Sequence, residues 1–190
     1  MDSDKLKHVS SLDEASFRQI LADYGQELWN YAYALTRHRH DADDIVQDTF
    51  LKCHRSIDTF RGQSTFKTWL FAICRHTAFN ARKSAYMRRI VPMANRFFAD
   101  KRTDSAPSAE DAALGKMMEG TVWETLLRLP AKYREILVLD AVHELKQHEI
   151  AKLLDLSVGG VKTRLFRARA KMNELLKEAS PHDEAKSIKG

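Results

Sequence analysis

The chain has 190 residues, of which 44% are hydrophobic, and this composition excludes global disorder and predicts one or two small domains with a core. Lysine and arginine outnumber aspartate and glutamate by 31 to 26, an excess so mild that the distribution of charge matters more than its sum. Few glycines and prolines disfavour a β protein, and no apolar run suits a signal core or a membrane span. We therefore predict an all-α, cytoplasmic protein that does not insert into membranes.

Apolar residues at helical spacing predict the first two helices. Residues 1–12 are polar and are predicted to be a loose tail, and Asp13 can cap a helix that continues to Leu35. A second helix is predicted to begin at Asp41. Its polar face forms the acidic ridge, which consists of Asp41, Asp43, Asp44, Gln47 and Asp48. The helix dipole favours acids in the first turns, but such a ridge in a basic protein also suits docking of a basic partner.

A short polar loop, residues 58–65, precedes the third predicted helix. Phe60 could stack on an unpaired base or fill the core, and the sequence leaves both alternatives open. The polar residues beside it favour a functional role. Ser64 or Thr65 is predicted to cap the helix, whose inward face begins with Phe66.

A second face of the third helix alternates basic and aromatic residues. It consists of Arg75, Phe79, Arg82, Tyr86 and Arg89, flanked by Lys83 and Arg88. This alternation favours binding of a single nucleic-acid strand, because cations follow phosphates and rings stack on bases. The alternative is an amphipathic helix whose aromatic rings pack and whose arginines are solvated.

The helical periodicity fades in residues 93–116, which we predict to be a flexible linker. It separates an N-terminal domain, residues 13–92, from a C-terminal domain, residues 117–178, and a polar tail follows at residues 179–190. About 25 extended residues reach at most about 80 Å, which exceeds two turns of duplex DNA at about 34 Å each. We therefore expect that the two small helical domains could hold separate sites on one DNA.

Residues 147–165 have the pattern of a helix-turn-helix. Asp155 stands at the turn, where aspartate tolerates a left-handed conformation, and Ser157 can cap the second helix. The apolar stripes of the two helices are Ile150, Ala151 and Leu154, and Val161, Leu165 and Ala168. The second helix is basic and has no acid before Met172, which predicts insertion into the major groove. A surface hairpin with a solvated basic face is the alternative.

Two blocks of this sequence closely resemble conserved regions of the bacterial extracytoplasmic-function (ECF) sigma factors of the sigma-70 family. The blocks that resemble the second conserved region are Asp41–Phe50, Phe60–Gly62 and Phe66–Leu70. Those that resemble the fourth are Leu129–Leu137, Glu149–Ala151, Val161–Leu165 and Arg167–Arg169. The resemblance covers roughly residues 15–178, in the order and spacing of the family.

The resemblance implies a subunit that gives core RNA polymerase its promoter specificity, melts promoters and starts transcription of a stress or envelope regulon. The acidic ridge would bind the β′ clamp helices of the polymerase, and the β flap is a second implied contact. An anti-sigma factor, which could be membrane-anchored, is the third implied partner besides polymerase and promoter DNA.

The resemblance also implies two sets of DNA-binding residues. The loop and the third helix would take a flipped base of the minus-ten element and hold the melted strand through Phe60, Arg61, Gly62, Gln63, Ser64, Lys67, Trp69, Arg75, His76, Phe79, Arg82, Lys83 and Tyr86. The last helix would recognise the minus-thirty-five element through Ser157, Val158, Gly159, Gly160, Lys162, Thr163, Arg164, Arg167 and Arg169. This chain departs from the family at His76, where asparagine is usual and where the flipped base should be recognised. It also departs at Ala72, often arginine, and at Asp155, where glycine is common.

Two other classes of function fit parts of the sequence. A stand-alone helix-turn-helix regulator would lack the acidic ridge and the basic–aromatic face. A metalloenzyme could use His38 and His40 with His54 or His76, but no carboxylate or cysteine completes a site, and Cys53 and Cys74 fit no metal motif. We find no nucleophile–base pair and no phosphate-binding glycine loop, so we predict neither catalysis nor a cofactor or metal.

Overall fold

The computed structural model describes the backbone of residues 13–90 and 120–179, and their side chains except at positions 82, 84–90 and 121. The predicted linker (93–116) and N-terminal tail (1–12) lie outside the described residues. Ala179, predicted to begin the C-terminal tail, is the last residue of a helix, and the rest of that tail lies outside. The described residues form helices and no strand, which confirms the all-α prediction.

Three helices build the N-terminal domain. They are α1 (Glu14–Thr36), α2 (Arg39–Ser56) and α3 (Phe66–Ile90), and a 3₁₀ turn (Ile57–Thr59) follows α2. The Asp13 carboxylate caps α1 as predicted, because it accepts a hydrogen bond from the Ser16 amide at 2.7 Å. The core between these helices includes Ile20, Leu28, Tyr31, Ile45, Phe50, Cys53, Phe66, Leu70, Phe71 and Cys74.

The C-terminal domain consists of four shorter or single-turn elements and one long helix. They are α4 (Thr121–Arg128), α5 (Ala131–Leu137), a π-helical turn (Val138–Val142), α6 (Gln147–Leu154) and α7 (Val158–Ala179). Its core includes Leu129, Ile136, Leu139, Ile150, Val161, Leu165 and Ala168. The predicted stripes of α6 and α7 are therefore the buried faces of the helix-turn-helix.

The two domains pack against each other, a contact that the sequence did not predict. Helix α5 lies against α1, and α6 lies against the beginning of α3. The buried charged residue Arg134 donates hydrogen bonds to the Ala34 carbonyl of the N-terminal domain and to the Leu127 and Leu129 carbonyls of its own. Its guanidinium therefore holds the end of α1 against the α4–α5 turn.

Candidate DNA and polymerase interfaces

The helix-turn-helix has the local geometry that its sequence predicted. Asp155 adopts the left-handed conformation with φ 54°, and the Ser157 hydroxyl accepts a hydrogen bond from the Gly160 amide at 3.0 Å. A Cβ atom at position 160 would lie 3.2 Å from the Ser157 Oγ, so glycine leaves room for this cap. The two successive glycines therefore fit the cap at the beginning of α7.

Most predicted minus-thirty-five residues lie on the solvent side of α7. The exposed ones are Ser157, Val158, Gly159, Lys162, Thr163, Arg167 and Arg169, while Gly160 and Arg164 are half-buried. Arg169 also pairs with Asp140 of the π-helical turn at 2.8 Å. The beginning of α7 thus presents a basic, accessible face.

Phe166 belongs to this face and was missed by the sequence analysis. Its side chain is 75% exposed, the highest value among the large exposed hydrophobic residues of the described chain. With Gln147, Lys162 and Arg169 it lines an open cleft of about 350 Å³. Its position outside the buried stripe of α7 was the signal available in the sequence.

The structure supports the core role for Phe60 over the stacking role. The ring is 3% exposed and lies 5.6 Å from the Phe66 ring and 5.4 Å from the Trp69 ring, between centroids. Its inclusion among the base-stacking residues is therefore corrected. Arg61 and Gln63 beside it are exposed, and Gly62 makes the turn with φ 67°.

His76 lies in a different pocket from the one predicted with the loop. A cavity of about 470 Å³ opens between α2 and α3, and His76 and Trp69 line it together with Ala72 and Ile73. The cavity is also lined by Lys52, Arg55 and Ser56 of α2, which the sequence analysis did not select. The His76 Nδ1 and the Asn80 amide nitrogen are 3.2 Å apart, so Asn80 orients the imidazole. An aromatic wall with two cations beside it suits an unpaired base and its phosphates.

The basic–aromatic face of α3 is only partly free. Arg75 lies 4.7 Å from the centroid of the 42% exposed Phe79 ring, but its Nε donates to Glu135 of the C-terminal domain at 2.8 Å. Lys67 pairs with Glu27 at 2.6 Å. Lys83 is exposed, whereas the side chains of Arg82 and Tyr86 lie outside the described residues. Exposure of Phe79 favours the nucleic-acid interpretation over the packed one for this residue.

The acidic ridge lies on the solvent side of α2. Asp43, Asp44, Gln47 and Asp48 are exposed and Asp41 is half-buried, while Ile45 and Thr49 face the core. Asp43 also accepts a hydrogen bond from the Trp29 indole at 2.6 Å. The ridge is therefore anchored through Asp43, and Asp44, Gln47 and Asp48 remain exposed to solvent.

Two carboxylates of the C-terminal domain accept hydrogen bonds from side chains of the N-terminal domain. Glu149 accepts from the hydroxyls of Thr65 at 2.8 Å and Thr68 at 2.7 Å. Burial raises the Glu149 pKa, but these bonds and one from the Lys146 amide lower it more, so the net shift is downward. Glu135 binds Arg75 and accepts from the Tyr31 hydroxyl at 3.2 Å.

These features define a class of protein. Two helical domains, of which the second contains a helix-turn-helix with a basic, exposed face, are the arrangement of a DNA-binding transcription factor. The described residues contain no cluster of three potential metal ligands. None of the described helices is both long and apolar enough to cross a membrane.

Comparison with known proteins gives the family. The family model for Sigma-70 region 2 matches residues 20–88, and that for Sigma-70, region 4 matches residues 120–172. The ECF RNA polymerase sigma factor SigW of Bacillus subtilis is 30% identical over 184 residues, or 92% of this chain and 96% of SigW. The ECF sigma-E factor of Haemophilus influenzae is 30% identical over 175 residues, or 88% and 91%. The chain belongs to the ECF sigma factors of the sigma-70 family.

Two solved structures share the fold. CnrH, in complex with the cytosolic domain of CnrY, has a TM-score of 0.61 and 29% identity, covering 87% of this chain and 90% of CnrH. The sigma factor RpoE of Bartonella quintana, in complex with the anti-sigma factor NepR, has a TM-score of 0.63 and 26% identity, covering 85% and 96%. The structural likeness therefore extends over both domains.

Proposed function

We propose that this sigma factor acts in the cytoplasm through three faces, each with its own partner. The acidic ridge binds core RNA polymerase, the α2–α3 pocket takes a base of the melted minus-ten strand, and α7 binds the minus-thirty-five duplex. The observation that carries this division is the pocket of about 470 Å³ that α2 and α3 form beyond the ridge, with Trp69, His76 and Arg55 in its lining, in a chain whose other domain has a helix-turn-helix. A stand-alone regulator would need neither the ridge nor the pocket. The polymerase core, not this chain, catalyses RNA synthesis.

The pocket supports single-strand binding through its lining. Trp69 offers an aromatic wall that Phe60 supports from the core, and Lys52 and Arg55 supply positive charge at the rim. Because Lys52 already donates to Thr77 at 2.9 Å, Arg55 is the better candidate for a phosphate contact. His76 at the same rim can donate or accept a hydrogen bond and so distinguish one base edge from another.

Base selection at this pocket is tested by two substitutions. His76→Asn, which restores the residue usual in the family, should change the base preferred at one minus-ten position. Arg55→Ala should weaken strand binding equally for all sequences, because a phosphate contact carries no sequence information. Sequencing of the bound fraction of a randomised single-strand pool measures the base preference, and titration of the same pool measures the overall affinity. An unchanged preference for His76→Asn would remove this residue from base recognition.

On α7, arginines and the exposed Phe166 ring together suit the major groove. Arginine hydrogen-bonds guanine edges, and an apolar ring can contact thymine methyl groups. The exposed Lys162 and Arg167 can hold the phosphates on either side. Phe166 therefore joins the proposed minus-thirty-five residues.

Polymerase docking is tested by reversing charge on the ridge. Asp48→Arg should lower affinity for core polymerase at least about tenfold, because like charges across an interface cost several kcal/mol. Glu124→Arg is the matched control, since Glu124 is exposed on α4 and the change in charge is the same. Pull-down of core polymerase with both variants, and thermal melting of each, gives the result. Equal affinities would remove the ridge from the polymerase contact.

An anti-sigma factor is the remaining proposed partner. The Bartonella RpoE, which shares this fold over both domains, is solved in complex with the anti-sigma factor NepR, and CnrH in complex with the cytosolic domain of CnrY. We expect a comparable partner for this chain. Affinity purification of the tagged chain from its own host, before and after envelope stress, would show a partner that is lost on stress.

A further inference from the structure

The N-terminus of α3 binds a carboxylate of the C-terminal domain, that of Glu149. The Thr65 hydroxyl accepts from the Thr68 amide at 3.2 Å, so Thr65 caps this 25-residue helix. Both threonine hydroxyls donate to the Glu149 carboxylate, which is 7% exposed. Hydroxyl donors at the positive end of a helix dipole are a favourable site for an anion.

A second anion lies further along the same face of α3. Arg75 follows Thr68 by seven residues, which is about two turns and about 10 Å along the helix axis. Its guanidinium is bound to the Glu135 carboxylate, which is 6% exposed. Two carboxylates of one domain thus lie in a row on donors of the other.

The same loop has a third contact across the domain boundary. Lys152 of α6 donates to the Gln63 carbonyl at 3.2 Å. Thr68 is buried beneath the C-terminal domain, whereas Gln63 and Thr65 contact it while remaining exposed and Arg75 is half-buried. The Thr65 and Thr68 hydroxyls and the Arg75 Nε are already bonded to carboxylates, so a strand must displace those carboxylates to bind the same groups.

We propose that Thr65, Thr68 and Arg75 are binding groups for the phosphates of the melted promoter strand, and that Glu149 and Glu135 occupy them in the closed chain in place of phosphates. The proposal rests on the proposed function of α3 in strand binding. Hydroxyls, helix N-termini and arginines are the groups that bind nucleic-acid phosphates, and charge-assisted bonds are the strongest of these. The lowered pKa of Glu149 keeps it ionised at neutral pH, as an occupant that stands in for a phosphate must be.

The consequence is competition within one molecule. The carboxylates are tethered to the chain, so the free protein keeps its strand-binding groups covered. A partner that separates the domains exposes the donors and thereby favours the strand. The closed chain then binds melted DNA more weakly than a chain whose domains are apart.

The test measures binding of a short fluorescent single-stranded oligonucleotide to the full-length chain. Glu149→Gln and Glu135→Gln should each raise affinity about tenfold, because each weakens one competing contact. Glu124→Gln is the control: it changes the net charge equally, and Glu124 is exposed on α4, a helix that packs against α7 of its own domain. Hydrogen exchange in peptides from α3 and α6 reports in parallel whether the domains have opened.

A second substitution distinguishes a phosphate-binding site from contacts that only hold the two domains together. Thr68→Val, at a 4% exposed position where valine has nearly the same shape, should lower strand affinity when added to Glu149→Gln. If hydrogen exchange shows that Glu149→Gln or Glu135→Gln opens the domains, but the variant binds the oligonucleotide no better than Glu124→Gln, the proposal is overturned. It is also overturned if neither hydrogen exchange nor oligonucleotide affinity changes. If no variant binds any strand, opened or closed, strand binding by α3 itself is wrong.

Discussion

The two candidate DNA faces are both basic helix surfaces, but they differ in how accessible they are to solvent. On α7, Lys162, Thr163 and Arg167 are exposed to solvent. On α3, Arg75 is held by a buried glutamate, and the beginning of the helix lies under α6. A basic helix face in a sequence therefore shows what can bind an anion, but not which anion already does. Under the proposed functions, duplex binding by α7 would need no rearrangement of the free chain, whereas strand binding at the covered donors of α3 would need the domains to part.

The largest effect on stability should come from Arg134, whose hydrogen bonds hold the two domains in the arrangement that covers part of α3 and leaves α7 exposed. Arg134→Met leaves three carbonyls, those of Ala34, Leu127 and Leu129, without their buried donor. We expect a loss of about 2–4 kcal/mol in the free energy of unfolding, measured in urea.

Arg128→Ala is the control for Arg134. Arg128 is an exposed arginine 3.8 Å from Glu178, and its loss should cost less than about 0.5 kcal/mol. Comparable costs for the two variants would show that Arg134 does not bear the domain contact.

Arg164 tests the difference between the two faces, because its substitution should affect duplex binding by α7 but not strand binding by α3. Arg164→Ala should weaken binding to a specific duplex by about 1–3 kcal/mol if this residue contacts a base, and leave strand binding unchanged. Lys177→Ala, near the other end of α7, should have no effect on either. Fluorescence anisotropy with duplex and single-stranded probes measures both. A loss that is equal on random duplex would make Arg164 a phosphate contact.

Acidification should shift the equilibrium from packed toward separated domains. His143 is 2% exposed between the Phe71 and Tyr31 rings, 3.7 Å from Glu27, with Lys67 also near. Burial lowers the His143 pKa more than Glu27 raises it. On opening, the pKa returns toward about 6.5, so the open chain takes up a proton below that pH.

The free energy that favours the closed over the open arrangement is therefore greatest above about pH 6.5. It decreases as pH falls, by at most about 1.4 kcal/mol per pH unit. Strand affinity measured between pH 7.5 and 5.5 should rise, and His143→Phe should abolish most of this dependence. The Glu27 pKa is lowered, so its contribution is lost only below the usual carboxylate range and does not confuse the measurement. The same pH profile in both proteins would exclude His143.

The smallest effect should come from Gly25, in the middle of α1 and away from both faces. A Cβ atom there would meet nothing within 4 Å, so Gly25→Ala should add about 0.5–1 kcal/mol to the free energy of unfolding and leave both DNA affinities unchanged. Gly160→Ala is the contrasting variant, because its Cβ would press on the Ser157 hydroxyl that caps α7. A greater gain at Gly160 than at Gly25 would contradict this account.

Most local structure could be predicted from sequence because its causes are local. The cap at Asp13, the left-handed Asp155 and the cap at Ser157 each depend on neighbours within a few residues. The buried faces of α2, α6 and α7 follow from helical spacing. The ambiguity at Phe60 could not be resolved in this way, since an aromatic residue in a loop fits both a core and a stacking role.

The domain contact could not be predicted, because its bonds join residues that are distant in sequence. Arg75 and Glu135 are 60 positions apart, and Thr65 and Glu149 are 84 apart. Periodicity indicates which face of a helix is apolar, but it does not indicate which charged residue will find an opposite charge on another domain. The pocket around His76 was missed in part for the same reason, since Arg55 of α2 reaches it from a different helix.

The two buried cysteines make the N-terminal domain its own reporter of unfolding. Cys53 of α2 and Cys74 of α3 are 0% exposed, and burial raises the pKa of each thiol to about 12. Only the thiolate reacts, so the folded chain should resist alkylation and thiol oxidation at neutral pH. The sequence has no other cysteine, so the rate of iodoacetamide labelling follows the opening of the N-terminal core alone. Domain separation and core unfolding can then be timed independently in one unmodified protein.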